Sequence, residues 1–301
     1  MNESAFTCTY TDVLQTLRER LREPAPARAQ ILSGPRQVGK TTLLGEIADE
    51  WADQAIYAPA DAPEASLSGW WENLWRKAEQ LAERRTAVLL IDEIQGISDW
   101  SRLLKAKLDY IRRKRIPLHV VASGSSALQL GHGTRETMAG RFERLRLLHW
   151  PVRELVKRFQ INAEAGVEQA VRYGGYPGAM AFLPDYVRWR NYIKDSIVEP
   201  AIGRDVLMME AIRKPALLRQ VFAVCVGHPA EIISIQKICG QLTERGALDT
   251  VAHYLHVLEE ACLIAAIPKY SLKVMRQRAA PPCPPSRMRA PSIVPGGILT
   301  L

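Results

Sequence analysis

Residues 33–42 read SGPRQVGKTT, and the reading of this stretch decides the fold. Within it Gly34-Pro35-Arg36-Gln37-Val38-Gly39-Lys40-Thr41 fits the spacing G-x-x-x-x-G-K-[ST], in which each fixed letter has a task. Gly34 and Gly39 let the backbone curl until successive N–H groups point inward at phosphate oxygens. Lys40 carries an ammonium to the β- and γ-phosphates, and Thr41 offers a hydroxyl to Mg²⁺. An ordinary turn ahead of a helix needs none of these letters in this register. A phosphate loop also needs a strand before it and a helix after it. AQIL (29–32) is a short apolar run, and TTLLGEIAD (41–49) reads as a helix whose positive end faces the same anion. The nucleotide contacts are therefore assigned to Gly34, Pro35, Arg36, Gln37, Val38, Gly39, Lys40, Thr41 and Thr42.

Outward from the loop, the first 150 residues alternate between strand-like and helix-like segments. DVLQTLRERLR (12–22) spaces Leu14, Leu17 and Leu21 as one helix face behind an Asp start signal. QAIYAPA (54–60) reads as a short strand, and GWWENLWRKAEQLAERR (69–85) as an amphipathic helix that packs its tryptophans on a sheet. Val88-Leu89-Leu90-Ile91 is a continuous apolar run, the mark of a parallel strand covered on both faces. PLHVVASGSS (117–126) is a third such run and RLRLLHW (144–150) gives a fifth strand. This rhythm predicts an α/β fold with a parallel sheet flanked by helices.

In open α/β sheets ligands collect at the carboxyl ends of the strands. The apolar run 88–91 ends in Asp92-Glu93. Asp92 suits a Mg²⁺ site shared with Thr41, since Mg²⁺ takes hard oxygen ligands and few of them. Glu93 is placed to polarise a water for attack on the γ-phosphate. Ser123 or Ser125, after the third run, would sense that phosphate or the attacking water. Arg141, in MAGRF (138–142), is the candidate arginine finger, with Arg135 and Arg144 nearby; whether it acts within one chain or across two is open. Catalytic roles thus fall on Lys40, Glu93, Ser123 and Arg141. No N-K-x-D base-reading motif is present, which speaks against a GTPase, and the Asp-Glu pair favours hydrolysis of ATP over transfer to a small molecule.

Composition sets the outer bounds. A chain of 301 residues, 47% hydrophobic, can bury a full core and more than one domain. No run of eighteen apolar residues occurs, so no membrane span is expected. MNESAFTCTY (1–10) lacks a basic-then-apolar leader, so a cytoplasmic chain is expected. The five cysteines are scattered without a C-x-x-C pair and read as idle thiols. Of the formal charge of +8, six cations follow Glu260, beyond which there is no acid.

These stretches together resemble the prokaryotic AAA-type (AAA+) P-loop ATPases that carry a winged-helix domain and then, in many members, a C-terminal domain of unknown function. The resemblance rests on GPRQVGKTTLL, LLIDEIQGISDW, VASGSSA, MAGRF, YGGYP and TVAHYLHVLEEACLI, spread over residues 31–267. It implies ATP binding and hydrolysis through Lys40, Thr41, Asp92 and Glu93, with ATP and Mg²⁺ as cofactors. It also implies one more strand between the phosphate-loop strand and the Asp92 strand. Expected domains are an ATPase core over 1–150, a helical lid over 151–212 and a winged helix over 213–270. The tail 271–301, rich in Pro and Arg, departs from the family and reads as disordered or aberrant.

Within the winged-helix segment, Ser234-Ile235-Gln236 opens a helix with Ile235, Ile238 and Leu242 on one face. Its second helix sets Val251, Tyr254, Leu255, Leu258 and Cys262 on one face. The other face shows Thr250, His253, His256, Glu259 and Glu260, and no Lys or Arg lies between Arg245 and Lys269. Such a helix is a poor reader of DNA, so packing or a protein partner is the better expectation. Nucleic acid remains the rival partner, with cations over 102–115 and 141–158 as its footprint. The functional expectation is a nucleotide-dependent switch. Its rivals are a DNA-binding regulator in which ATP is secondary and a nucleotide-binding interaction protein without turnover.

Overall fold

A computed structural model of the chain describes residues 9–124, 138–206, 212–229, 231–244, 246–265, 267–268 and 282–283. Ser125, Arg135 and nearly all of the tail 271–301 lie outside the described residues. The chain divides into two compact units, residues 1–148 and 149–301. Among the described residues no helix is long and apolar enough to cross a membrane.

The first unit runs α1 (Tyr10–Leu21), β1 (Ala29–Ser33), α2 (Lys40–Trp51), β2 (Ala55–Pro59), α3 (Trp70–Ala82), β3 (Ala87–Asp92), α4 (Trp100–Lys114), β4 (Leu118–Gly124) and β5 (Phe142–Arg146). All neighbouring strands pair in parallel, in the order β2-β3-β4-β1-β5. The strand standing between the phosphate-loop strand and the Asp92 strand is β4. Every residue of β1, β3 and β4 is buried, whereas β2 and β5 at the edges are only partly so. That is why the three central strands read as unbroken apolar runs: helices cover both of their faces.

One face is closed by α3 and α4. Trp71, Leu74 and Trp75 of α3 and Leu104, Leu108 and Ile111 of α4 meet Ile31, Leu89, Ile91, Val120 and Ala122. The tryptophans therefore build core and do not form a stripe for ligand. Successive strand residues point to opposite faces, so Leu32, Leu90 and Val121 lie on the other side, where α2 packs. Helix α1 starts three residues earlier than a cap at Asp12 would set it. The side chain of Thr9 caps it by accepting from the Asp12 N–H at 3.2 Å, which leaves Asp12 inside the first turn.

Two glycines of the loop 34–39 earn their places differently. Gly39 has φ 100°, a left-handed conformation that lets the chain turn into α2. Gly34 is needed for space: a Cβ there would sit 1.9 Å from the backbone oxygen of Leu147, just past β5. The Leu147 N–H also donates to the Ser33 carbonyl at 2.9 Å, so neither backbone can step aside. Gly34→Ala is expected to destabilise the first unit by about 2–3 kcal/mol, the scale of overpacking against a rigid neighbour. A thermal scan that leaves its midpoint unmoved would refute this.

The second unit is helical: α5 (Val152–Phe159), α6 (Ala163–Arg172), α7 (Tyr186–Tyr192), α8 (Pro215–Gly227), α9 (Ile235–Gln241) and α10 (Leu248–Glu260). Beyond α7 the chain winds on as π-helix over Ile193–Val198 and Ala201–Val206. The turn at 173–177 folds back on Trp150, whose N–H donates to the Gly175 carbonyl at 2.8 Å. Tyr176, which is buried, and the half-buried His149 meet edge to face at 4.6 Å, and desolvation pushes His149 down to about 4, so it is neutral at pH 7. Ser234 caps α9 through the Lys237 N–H at 3.2 Å. Val251, Tyr254, Leu255 and Leu258 of α10 are buried, but Cys262 lies past the helix end at positive φ. A two-residue strand β6 (Ile267–Pro268) then pairs antiparallel with β7 (Pro282–Cys283).

Candidate functional site

The carboxyl ends of β1, β3 and β4 meet at one rim of the sheet. Register sets Ser123 level with Leu32, and Ala122 level with Ile91, so Asp92 stands beside Ser123 and across β4 from Leu32, one residue before Ser33 ends β1. Residues 34–39 form the loop over this rim, and α2 begins at Lys40. Helix α2 has no side-chain cap and no acid in its first turn. Its positive end is therefore not neutralised by its own sequence, a favourable setting for an anion.

Lys40 is 4% exposed. Its Nζ donates to the Pro35 carbonyl at 2.7 Å and to the Gly34 carbonyl at 3.1 Å. The ammonium is thus held inside the curve of the loop. Thr41, next in sequence, turns its hydroxyl to the neighbouring motif: Oγ1 donates to Asp92 Oδ2 at 2.7 Å, across 51 residues of chain. This bond joins the two sequence motifs into one site. Hydroxyl and carboxylate are hard oxygen donors, and the pair fits a small divalent cation that keeps several waters. Among the described residues no group of three or more His, Cys, Asp or Glu side chains forms a metal cage. A cation here would complete its shell from nucleotide and water.

Asp92 is 4% exposed and is held by two further hydroxyls. Ser123 Oγ donates to Oδ1, and Tyr57 OH donates to Oδ2 at 2.7 Å. Tyr57 lies on β2, the strand beside β3, and burial together with its bond to Asp92 keeps the phenol protonated as a donor. It was not among the residues expected from sequence. A lone Tyr in a five-residue edge strand gives no signal of its own, because its partner is fixed by strand pairing.

Ser123 was expected to face the γ-phosphate or the attacking water. The structure places it instead wholly inside: it donates to Asp92 and accepts from the Glu93 N–H at 3.1 Å. A buried hydroxyl on a central strand satisfies its neighbours first, so Ser123 positions Asp92 and Glu93. Glu93 itself takes φ 50°, a left-handed backbone that is uncommon for a residue with a side chain. Gln95 Nε2 donates to its Oε2.

Arg141 is not brought to this rim. Its carbonyl accepts from the Ala29 N–H at 2.9 Å, at the start of β1. The phosphate loop lies one strand length away, roughly 15 Å at about 3.3 Å per residue. Its guanidinium grips Asp109 of α4 in a two-point ion pair, at 2.6 and 3.1 Å, which holds the Asp109 carboxyl below its usual range. An arginine finger at this position cannot serve its own chain's loop. Arg144 sits mid-strand, opposite Ile31.

Comparison with known proteins adds two family matches. Residues 26–156 match a model described as an AAA domain, and residues 164–281 one described as a domain of unknown function (DUF8612). Uncharacterized proteins of Mycobacterium bovis and Mycobacterium tuberculosis are each 25% identical over 281 residues, 90% of this chain and 56% of theirs. The chain spans about half the length of the curated relatives it matches. Among solved structures, a RuvB of Thermotoga maritima aligns over 87% of this chain and 91% of its own, with 19% identity and a TM-score of 0.46. An AMPPCP-bound DnaA from Aquifex aeolicus aligns over 82% and 86%, with 17% identity and a TM-score of 0.41.

Proposed function

We propose that this chain, which carries an AAA domain over residues 26–156, binds and hydrolyses Mg·ATP and works as a nucleotide-dependent switch. The observation that carries the reading is the Thr41–Asp92 hydrogen bond, which ties the phosphate loop to the acidic strand end. Mg·ATP supplies the chemistry: an electrophilic γ-phosphorus with a diphosphate leaving group. The chain supplies the rest. Loop N–H groups and the Lys40 ammonium stabilise negative charge, and Thr41 with Asp92 holds the cation. Glu93 takes a proton from the attacking water, its backbone held by Ser123.

Arg141 enters this proposal as a finger offered to a second copy of the chain, since it stands at the opposite edge from its own loop. Residues 151–212 act as a helical lid and 213–270 as a winged helix whose positions follow nucleotide state. Their succession of helices ending in the short strand β6 supports that division. The outward face of α10 carries His253 and His256, the latter beside Glu260 at 3.5 Å, which favours a protein partner over DNA at this element. A cytoplasmic placement, where ATP is abundant, belongs to the same reading.

The test is steady-state phosphate release from Mg·ATP across a range of protein concentrations. Turnover per chain that rises with concentration supports a shared finger, and turnover independent of concentration removes Arg141 from the mechanism. Tight ATP binding without release would make the chain an interaction module. Tyr57 gives a finer check. Tyr57→Phe keeps the ring and removes one hydrogen bond to Asp92, a bond partly open to solvent. It is expected to weaken the Mg²⁺-dependent part of nucleotide affinity about five-fold. Affinity in excess chelator should not change, and an equal loss with and without Mg²⁺ would rule out this role.

A further inference from the structure

In a parallel α/β layer the helices run against the strands, so helix carboxyl ends gather at the rim opposite the phosphate loop. At that rim α3 ends just before β3 and α4 just before β4, and β3 and β4 are neighbours. The two helices pack on the same sheet face. Their ends present Arg84 and the run Arg112-Arg113-Lys114-Arg115, all exposed. Among the described residues none of these five forms an ion pair or a side-chain hydrogen bond. Nearby acids are largely engaged: Asp53 with Arg85, Asp109 with Arg141, and Glu143 with Arg20 and Arg28. Glu83 and Glu23 also stand exposed at this rim.

Two features set this run apart from an ordinary solvated helix end. The helix dipole favours a cation or two in the last turn, but four in succession repel one another. Arg115 also holds the left-handed cap position of α4, φ 54° and ψ 38°, a conformation that favours glycine. A cleft of about 620 Å³ opens beside Arg112, which lines it together with Glu23, Arg28 and Glu143 and with Pro24 and Pro26. No large apolar side chain is exposed at this rim among the described residues, although membrane-surface sites join cations to such groups. Four of the five cations are arginines, whose planar forks match phosphate oxygens.

We propose that this rim, centred on Arg112, Arg113, Lys114 and Arg115 with Arg84 beside them, binds the phosphate backbone of nucleic acid without reading its sequence. The site lies at the rim opposite the phosphate loop, and nucleic acid bound there leaves the nucleotide rim of the sheet open. Its affinity comes from counterion release and therefore depends steeply on salt.

The test is anisotropy of a labelled random-sequence duplex titrated with the whole chain between about 50 and 200 mM salt. The wild type is expected to bind at the low end and to weaken at least ten-fold across that range. The combined variant Arg112→Gln, Arg113→Gln and Lys114→Gln is expected to lose about 3 from the log–log salt slope, near one per cation removed. Its thermal midpoint should stay that of the wild type, since these side chains are solvent-facing. Four results would overturn the proposal: no duplex binding at low salt, an unchanged slope in the variant, binding to anionic vesicles but not to duplex, or lost self-association with duplex binding intact.

Discussion

Lys40→Ala is expected to lower nucleotide affinity about 100-fold or more and to end turnover. The ammonium is buried against the carbonyls of Gly34 and Pro35, so its charge is concentrated where phosphate would enter. In a site of low local dielectric one such charge is worth several kcal/mol. The same change strips a donor from two loop carbonyls, so the loop also loses its shape. Titration with a fluorescent ATP analogue reads the effect directly, with the thermal midpoint as the control for folding. Wild-type affinity in this variant would mean that residues 33–42 do not cradle phosphate.

Glu93→Gln has the opposite signature. The substitution preserves size and removes only basicity, so nucleotide binding should persist while phosphate release falls about 1,000-fold, within the range of general-base catalysis. Its left-handed backbone and the Ser123–Glu93 hydrogen bond do not depend on the carboxylate, which keeps the comparison clean. Retained turnover would assign the water-activating role elsewhere. A loss of binding equal to the loss of turnover would point to a purely structural Glu93.

How much of this was legible in the sequence follows from the range of each interaction. The sheet was legible because β1, β3 and β4 are covered on both faces, and continuous burial writes itself as apolar runs such as 88–91. Lys40, Thr41, Asp92 and Glu93 could be singled out because the spacing within each motif is local, and the structure brings Thr41 and Asp92 into contact. Tyr57 was not: its hydrogen bond spans 35 residues and exists only because β2 pairs with β3. Ser123 was found by position but misread in aim, since no local pattern tells whether a strand-end hydroxyl faces outward or into the core. Arg141 was likewise recognisable as a motif letter, while its distance from its own loop required the register of β5 on β1. Thr9, three residues ahead of Asp12, won the cap of α1 because Ser, Thr and Asp compete for that role on nearly equal terms.

The contact at Gly34 has a mechanical meaning. Backbone lies directly on backbone there, with no side chain between them to absorb a displacement, and the Ser33–Leu147 hydrogen bond fastens the same two segments. A displacement of loop 34–39 would therefore press directly on Leu147, one residue before the first unit ends at 148. The glycine is therefore a joint without slack between the loop and the peptide that leads out of the sheet.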